Sequence, residues 1–372
     1  MKKPHTIKHQ QSDTAYFQKQ LHAYQQRLNQ EIQQYAKQAR KQVLQSYGSN
    51  ARLETDAYLA ILERGGKRIR GSLTLLGYEM CGGKDSQMII KAALAVEMMH
   101  AYILIIDDIQ DHSQTRRGGP SAHQQLAQYH QQKQYAQDDY HFGISIAMNA
   151  ALAGAHQATI ELALLDAPQE LKLKAISIMN RTMAVTAHGQ TQDIMNEVVP
   201  HVELADIEKT LEWKTAHYTI LNPLHVGMVL AGADCHATDA ITTYALHTGK
   251  AFQVSDDILG IFGSEFASGK SPMDDIREGK RTVLTVHALQ VASNGNKNFL
   301  LQMLGNHQLT QDQFERCKEI IIATGALEVA KDYVQQHVAS ALKALEIDQA
   351  PWLDDGGKFL RGLAVYLPNR ET

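Results

Sequence analysis

The sequence predicts an all-α protein, a single large helical bundle, on three observations. Proline is scarce and scattered, with eight residues in 372, roughly 2% against the usual 5%. Because proline breaks helix interiors, long helices fit between Pro4, Pro120, Pro168, Pro200, Pro223, Pro272, Pro351 and Pro368. Apolar residues recur at helical spacing in stretches rich in Ala, Leu, Ile and Gln, while aromatics make up only 6%. No useful stretch alternates as a strand does, and no fixed-period repeat is present.

The elements follow in order. Over residues 13–46, Phe17, Leu21, Tyr24, Leu28, Ile32, Tyr35, Ala39 and Val43 step by threes and fours along one face, opposite Gln, Lys and Arg. Such a face suits packing against the body or a second subunit, with a membrane surface as the alternative, for which the basic charge is thin. Tyr47-Gly48-Ser49-Asn50 is a turn, so residues 1–48 are an N-terminal helical extension and 49–372 the main domain. A second helix ends near Gly65-Gly66, and helices over 72–80 and the strongly apolar 86–108 follow. Residues 112–141 are polar and are expected to be a loop around Gly118-Gly119-Pro120 and then a solvated, Gln-rich helix. Helical patterns resume at 143–165, 169–196, 202–218, 223–233, 237–262, 281–292, 297–305, 310–323 and 325–346, with a loop over 263–279.

The totals bound the function. Lys and Arg number 36 against 40 Asp and Glu, a net charge of −4, which argues against a generic nucleic-acid surface. Cys81, Cys235 and Cys317 are isolated and form no C-x-x-C, so a disulfide framework or Cys-based zinc site is not expected and a reducing, cytoplasmic setting fits. The opening MKKPHTIKHQQSD has no apolar core of a secretory signal, and no uninterrupted apolar run approaches the ~20 residues of a spanning helix.

Chemistry concentrates in charged motifs. Asp107, Asp108 and Asp111 directly follow an apolar helical run, and Asp107 and Asp111 share a face at i,i+4. Two carboxylates about 4 Å apart repel by roughly 4 kcal/mol at an effective dielectric of 20. Such a helix end calls for a cation, and all-oxygen ligands select Mg²⁺ or Mn²⁺. Asp256 and Asp257 end a second apolar run, which suggests facing carboxylate clusters in a central cavity of the bundle. Cations lie close by in sequence. Gly65-Gly66-Lys67-Arg68-Ile69-Arg70 sets three positive charges at a glycine-rich helix start; Arg116-Arg117 follows the first acidic motif, Lys214-Thr215 lies mid-helix, and Lys270 and Lys280 flank the late loop. Helix N-termini and arginine forks favour phosphate. Acidic and basic groups in this combination describe a polyphosphate held through bridging metals.

These residues resemble the trans-isoprenyl diphosphate synthases, the farnesyl, geranylgeranyl and polyprenyl diphosphate synthase family. The matching pieces run in family order: GGKRIR (65–70), Glu97 with His100, DDIQD (107–111), RRGGP (116–120), GQTQD (189–193), Lys214-Thr215, FQVSDDILG (252–260) and GKSPMDDIREGKRT (269–282). The resemblance implies the isoprenoid synthase fold and a head-to-tail condensation of isopentenyl diphosphate with an allylic diphosphate. It implies that Asp107, Asp108, Asp111, Asp256 and Asp257 hold three Mg²⁺ ions, with Mn²⁺ possible, on the allylic diphosphate. Arg116, Lys214, Thr215, Gln253 and Lys270 match positions on that diphosphate, and Lys67, Arg70, His100 and Arg117 match the isopentenyl diphosphate site. It also implies a homodimer.

The sequence departs from the family at three places: Gly260 stands where many members have a third Asp, Gly71 where proline is common, and AMNAALAG (147–154) lacks a usual Gly-Asp. Ile103, Tyr102 and Met99, four, five and eight residues before Asp107, are candidate chain-length residues, because five helical residues span only ~7.5 Å. An aromatic at the fifth position resembles the geranylgeranyl type, so the expected product is C20, with C15 next. Two other readings differ in their demands. A terpene cyclase would not need GGKRIR or RRG, and a regulatory subunit of a two-component synthase tends to lose the aspartates present here.

Overall fold

The computed structural model describes residues 4–233, 235–263, 271–347 and 352–367. The first helix, α1 (Pro4–Glu63), bends at Gly48, whose φ of 83° and ψ of −168° only glycine adopts readily. There follow α2 (Ile69–Met80), α3 (Ser86–Gln110), β1 (Thr115–Arg116), β2 (Gly119–Pro120), α4 (Ala122–Gln132), α5 (Asp139–Ala163) and α6 (Gln169–Val198). Next come α7 (Leu204–Thr210), a π-helical segment Leu211–Leu221, α8 (Asn222–Leu230), α9 (Cys235–Phe262), α10 (Asp274–Arg277), α11 (Val283–Val291), α12 (Asn294–Met303), α13 (Gln311–Ala323), α14 (Ala326–Ala344) and α15 (Asp354–Tyr366).

The all-α class holds, with three corrections. Residues 115–120 are not a plain loop but a minimal antiparallel hairpin, with Thr115 opposite Pro120 and Arg116 opposite Gly119. The helix expected to be solvated, α4, buries Ala122, His123, Leu126, Ala127 and His130. Small residues and histidines carry that stripe, so a polarity reading passes over it. It packs against α5, where Gly143 lets the helices close: a Cβ there would lie 2.3 Å from the carbonyl oxygen of His123. The helix expected over 202–218 is α7 continued by the π-helical segment.

By packing the chain divides into two units. One is Lys19–Met179 with Pro223–Ala233; the other is Met1–Gln18, Asn180–Asn222 and Asp234–Thr372. In the first, Asp85 caps α3, its carboxylate accepting from the N–H groups of Gln87 (3.0 Å) and Met88 (2.9 Å). Among the described residues α3 alone is long and apolar enough to cross a membrane, but 72% of its most apolar window is buried within the fold. It is a core helix. The stripe of α1 also turns inward here, with Tyr24, Leu28 and Ile32 buried and Tyr35, Ala39 and Val43 only half-buried, Ala36 being buried in their place. Where α2 meets α8, glycines face backbone: a Cβ on Gly77 would lie 2.4 Å from Leu224 O, and one on Gly227 2.1 Å from Thr74 O.

The second unit is built on α9, which packs against α14 and the π-helical segment. Val254, Ile276, Leu284, Phe314 and Ile321 lie in its core. The two ends of the chain meet in it. Phe17, fully buried, sets its ring 4.8 Å from that of Phe359 and 5.1 Å from Tyr366, and Arg361 Nε donates to Asp13 at 2.7 Å. Burying one such side chain contributes about 1.5–3 kcal/mol.

A polar cluster joins α7, the π-helical segment, α9 and α14. His247 Nδ1 and His337 Nδ1 are 2.9 Å apart, and Tyr333 stacks on His337 at 4.3 Å while its hydroxyl donates to Glu208. Lys250 pairs with Glu208 (2.7 Å) and Glu212 (3.1 Å). Burial, and then His247, push His337 down to about 4 from the ordinary 6.5. The unfolded chain therefore takes up this proton first, and stability is lost as pH falls from about 6.5 towards about 4. His337→Gln should flatten the urea-midpoint profile over that interval; an unchanged profile would remove His337 as its source.

Candidate active site

The basic loop ahead of α2 is shaped from inside. Arg68 adopts a left-handed backbone, φ 47°, and its side chain enters the core. Nη1 lies 3.2 Å from Glu97 Oε2, Nη2 donates to Leu62 O at 2.8 Å, and Nε donates to Asn29 Oδ1 at 3.0 Å. The Arg68 and Glu97 side chains are each 1% exposed, so each charge depends on the other. The second oxygen of Glu97 accepts from the Gly71 N–H at 2.8 Å, a bond that proline at 71 could not donate. Gln25 Nε2 donates to Lys67 O at 2.7 Å, leaving the Lys67 side chain exposed.

The loop presents Arg70, whose Nη1 is 3.3 Å from His100 Nε2, while Arg117 Nη2 reaches the same nitrogen at 3.0 Å. Burial, then the charges of Arg70, Arg117, Arg116 and Arg68, hold His100 well below the usual imidazole range. The ring is neutral and Nε2 accepts, which puts its proton on Nδ1. One uncharged acceptor thus gathers two guanidiniums.

The hairpin sets Arg116 and Arg117. Arg117 (φ 52°) and Gly118 (φ 73°) are both left-handed, as a type I′ turn requires; for arginine that costs about 1–2 kcal/mol. Arg64 pins the turn, donating to the carbonyls of Arg116 (3.4 Å) and Pro120 and to Gln125 Oε1 (3.2 Å). The side chain of Arg116 folds back on the end of α3. Its Nε donates to Asp108 Oδ1 at 2.7 Å, Nη2 donates to the same oxygen, and Nη2 lies 3.4 Å from Asp107 Oδ2. Asp108 is wholly buried, whereas the Asp107 side chain is 21% exposed. Asp107 and Asp108 occupy the last turn of α3 and Asp111 caps it. A helix C-terminus is the negative end of the dipole, and three carboxylates there make this end of α3 strongly acidic.

The second unit carries its own charged site. Lys214 Nζ donates to Asp193 Oδ2 at 2.6 Å, Thr215 Oγ1 to Gln253 Oε1 at 2.9 Å, and Gln253 Nε2 to Asp257 Oδ1 at 2.9 Å. Lys214 and Thr215 lie on the π-helical segment, a geometry frequent at functional sites. The wider turn fits because glycines flank it: a Cβ on Gly189 would lie 2.3 Å from Lys214 N, and one on Gly249 2.4 Å from Ala216 Cα. Asp193, Lys214, Thr215, Gln253, Asp257, Lys280 and Arg281 help to line a cleft that opens to solvent. Burial first, and then the charges of Asp275, Asp256 and Asp193, push Asp257 up to about 8 against the opposing Gln253 bond.

Among the described residues no three His, Cys, Asp or Glu side chains already form a metal cage. Mg²⁺ needs none, since it is commonly held by one or two carboxylates, waters and substrate phosphates. The all-oxygen donor sets therefore fit it.

Of the expected site residues, Asp107, Asp108 and Arg116 join in one network and Arg70, His100 and Arg117 in another. Lys214 meets Asp193, and Thr215, Gln253 and Asp257 form a relay. Asp111, the cap of α3, and Asp256, inside the last two turns of α9, are half-buried, and Lys270 lies outside the described residues. Met99 is buried, and Tyr102 and Ile103 are half-buried, on the turns of α3 before Asp107. Sequence reasoning missed Asn29, Arg64 and Asp193 as supports. Only Asp193 had a signal, as the last residue of GQTQD.

A family model described as Polyprenyl synthetase matches residues 52–321. The chain is similar to the geranylgeranyl diphosphate synthase of Saccharolobus solfataricus, with 31% identity over 80% of this chain and 84% of that protein. It is also similar to the geranylfarnesyl diphosphate synthase of Aeropyrum pernix, 28% identical over 84% of this chain and 93% of that one. A solved structure of geranylgeranyl pyrophosphate synthase from Corynebacterium glutamicum, complexed with isoprenyl diphosphate and magnesium, superposes with a TM-score of 0.87 at 30% identity, covering 95% of this chain and 99% of that one.

Proposed function

We propose, since this chain belongs to the polyprenyl synthetase family, that it is a head-to-tail prenyltransferase joining isopentenyl diphosphate to an allylic diphosphate, with C20 geranylgeranyl diphosphate as its main product. The observation that carries this reading is the pair Arg70 and Arg117 gathered on neutral His100 (3.3 and 3.0 Å), a phosphate fork distinct from the Asp107–Asp108–Arg116 network. A cyclase, which handles one diphosphate, has no use for it. A purely regulatory subunit has no use for the acidic motifs.

In this reading Lys67, Arg70, His100 and Arg117 bind isopentenyl diphosphate, and Arg116, Lys214, Thr215, Gln253 and Lys270 bind the allylic diphosphate. Asp107, Asp108, Asp111, Asp256 and Asp257 would hold Mg²⁺, three ions with Mn²⁺ as a substitute, which neutralise charge on the departing diphosphate. The allylic C–O bond breaks and its electron pair leaves with the diphosphate. The double bond of isopentenyl diphosphate attacks the allylic carbon, and a proton is lost to the released diphosphate. Asp193 keeps Lys214 oriented, and Gln253 ties Thr215 to Asp257. Residues 49–372 form the synthase domain and 1–48 its extension, in a cytoplasmic protein with no nucleic-acid partner. The test is incubation with isopentenyl diphosphate, each of the C5, C10 and C15 primers and Mg²⁺, then mass measurement of the dephosphorylated alcohols. No product with any primer would end the proposal.

Chain length follows from α3. Tyr102, with Ile103 and Met99, would limit the pocket about 7.5 Å from the acidic end. Tyr102→Ala should move the main product beyond C20 by one or more C5 units; an unaltered product spectrum would acquit the tyrosine.

A homodimer is part of the same proposal. On α5 the small residues Gly143, Ala147, Ala151, Gly154 and Ala158 are buried. Met148, Leu152 and Ile160 are 53%, 58% and 45% exposed along another face, an apolar stripe that a second copy would cover. Light scattering should give twice the chain mass, and the double variant Met148→Asp/Leu152→Asp half of that. A monomeric wild type at micromolar concentration would dispose of the dimer.

A further inference from the structure

We propose that Asp275 serves as the third carboxylate of the second acidic cluster, reaching from α10 into the place of the side chain that Gly260 lacks. The inference rests on the metal-dependent reading above and concerns a position where this chain departs from its family's pattern. On α9, position 260 is i+4 from Asp256 and i+3 from Asp257, so a side chain there would neighbour both. A third carboxylate would be carried there, and the sequence supplies hydrogen instead.

The vacancy is filled. A Cβ built on Gly260 would lie 2.2 Å from Asp275 Oδ2 and 3.2 Å from its Cγ, so the Asp275 carboxyl occupies the volume that a residue-260 side chain would need. The placement is selective within α10. Asp274 is used locally, its Oδ2 accepting from the Ser271 N–H at 3.2 Å and its Oδ1 facing Arg277 at 3.6 Å. Asp275 is held through its main chain, its carbonyl accepting from the Lys280 N–H at 2.9 Å, which leaves the side chain directed at α9. Among the described residues no hydrogen bond or ion pair engages the Asp275 carboxylate. A carboxylate packed against the acidic face of a helix without a cationic partner is repelled, unless a cation arrives to be shared.

The test uses Mn²⁺ with inorganic pyrophosphate as the probe on the full chain, free Mn²⁺ being followed by its paramagnetic resonance signal. Asp275→Asn should weaken Mn²⁺ binding by about tenfold or more, the usual scale for groups that tune a metal site. Gly260→Asp alone should weaken it as well, because two carboxylates then compete for one volume. The double variant Gly260→Asp/Asp275→Ala should recover binding to about threefold of wild type, and that rescue is the deciding result. Wild-type affinity in Asp275→Asn, or a double variant no better than Asp275→Ala, would overturn the proposal. Circular dichroism and thermal midpoints check that each variant folds, and if the double variant does not, the isosteric Asp275→Asn decides alone. A wild type that binds no Mn²⁺ with pyrophosphate and makes no product would defeat the metal-dependent reading itself. Normal wild-type binding beside an unaffected Asp275→Asn would defeat only the assignment of Asp275.

Discussion

Asp107→Ala should reduce turnover by about a thousandfold or more, the scale on which removal of a group acting on transition-state charge is felt, while leaving the fold nearly unchanged. The asymmetry follows from the two neighbouring aspartates. Asp108 is wholly buried and bonded twice by Arg116, whereas Asp107 is partly exposed and only 3.4 Å from the same guanidinium. Losing Asp107 also relieves carboxylate repulsion at the negative end of α3, so the thermal midpoint should hold or rise slightly. Activity and melting measured on one preparation separate the outcomes. Substantial remaining turnover would mean that the first acidic motif does not hold the reacting diphosphate. A collapse of stability would mean that Asp107 is a structural residue.

Glu97→Ala should have the largest effect on stability, about 3–5 kcal/mol, because it strands a buried charge. Arg68 would keep its bonds to Leu62 O and Asn29 but lose the Glu97 carboxylate at 3.2 Å, and the Gly71 N–H would lose its acceptor at 2.8 Å. Because both bonds fix the loop that carries Lys67 and Arg70, KM for isopentenyl diphosphate should rise more than KM for the allylic substrate. Urea denaturation and the two KM values check this, and equal changes in both constants would count against a role in positioning that loop.

Much of the fold and site was legible in the sequence because helices and charged motifs are local signals. The apolar run to Ile106, the acidic residues closing it, the break at Gly48 and the basic loop at 65–70 all stand where periodicity and composition put them. What escaped depends on partners distant in sequence. The π-helical stretch at 211–221 is accommodated by Gly189 and Gly249, which no reading of Leu211–Leu221 alone could supply. The hairpin needs Arg64 to hold Arg117 in a left-handed backbone. The burial of α4 depends on the approach of α5 at Gly143, and a Gln-rich segment gives little hint of it.

The packing of α1 against the basic loop has an evolutionary consequence. A Cβ on Gly71 would come within 2.9 Å of both Leu28 Cδ1 and Glu97 Cγ, so positions 28, 71 and 97 share one volume. A lineage cannot gain proline at 71 without trimming residue 28 and finding Glu97 another donor. Asn29 is likewise bound to the fate of Arg68. Positions 28 and 29 lie outside the matched family region, yet they should vary in step with the loop that meets substrate, and grafting the extension of one relative onto the body of another should fail unless those positions travel with it.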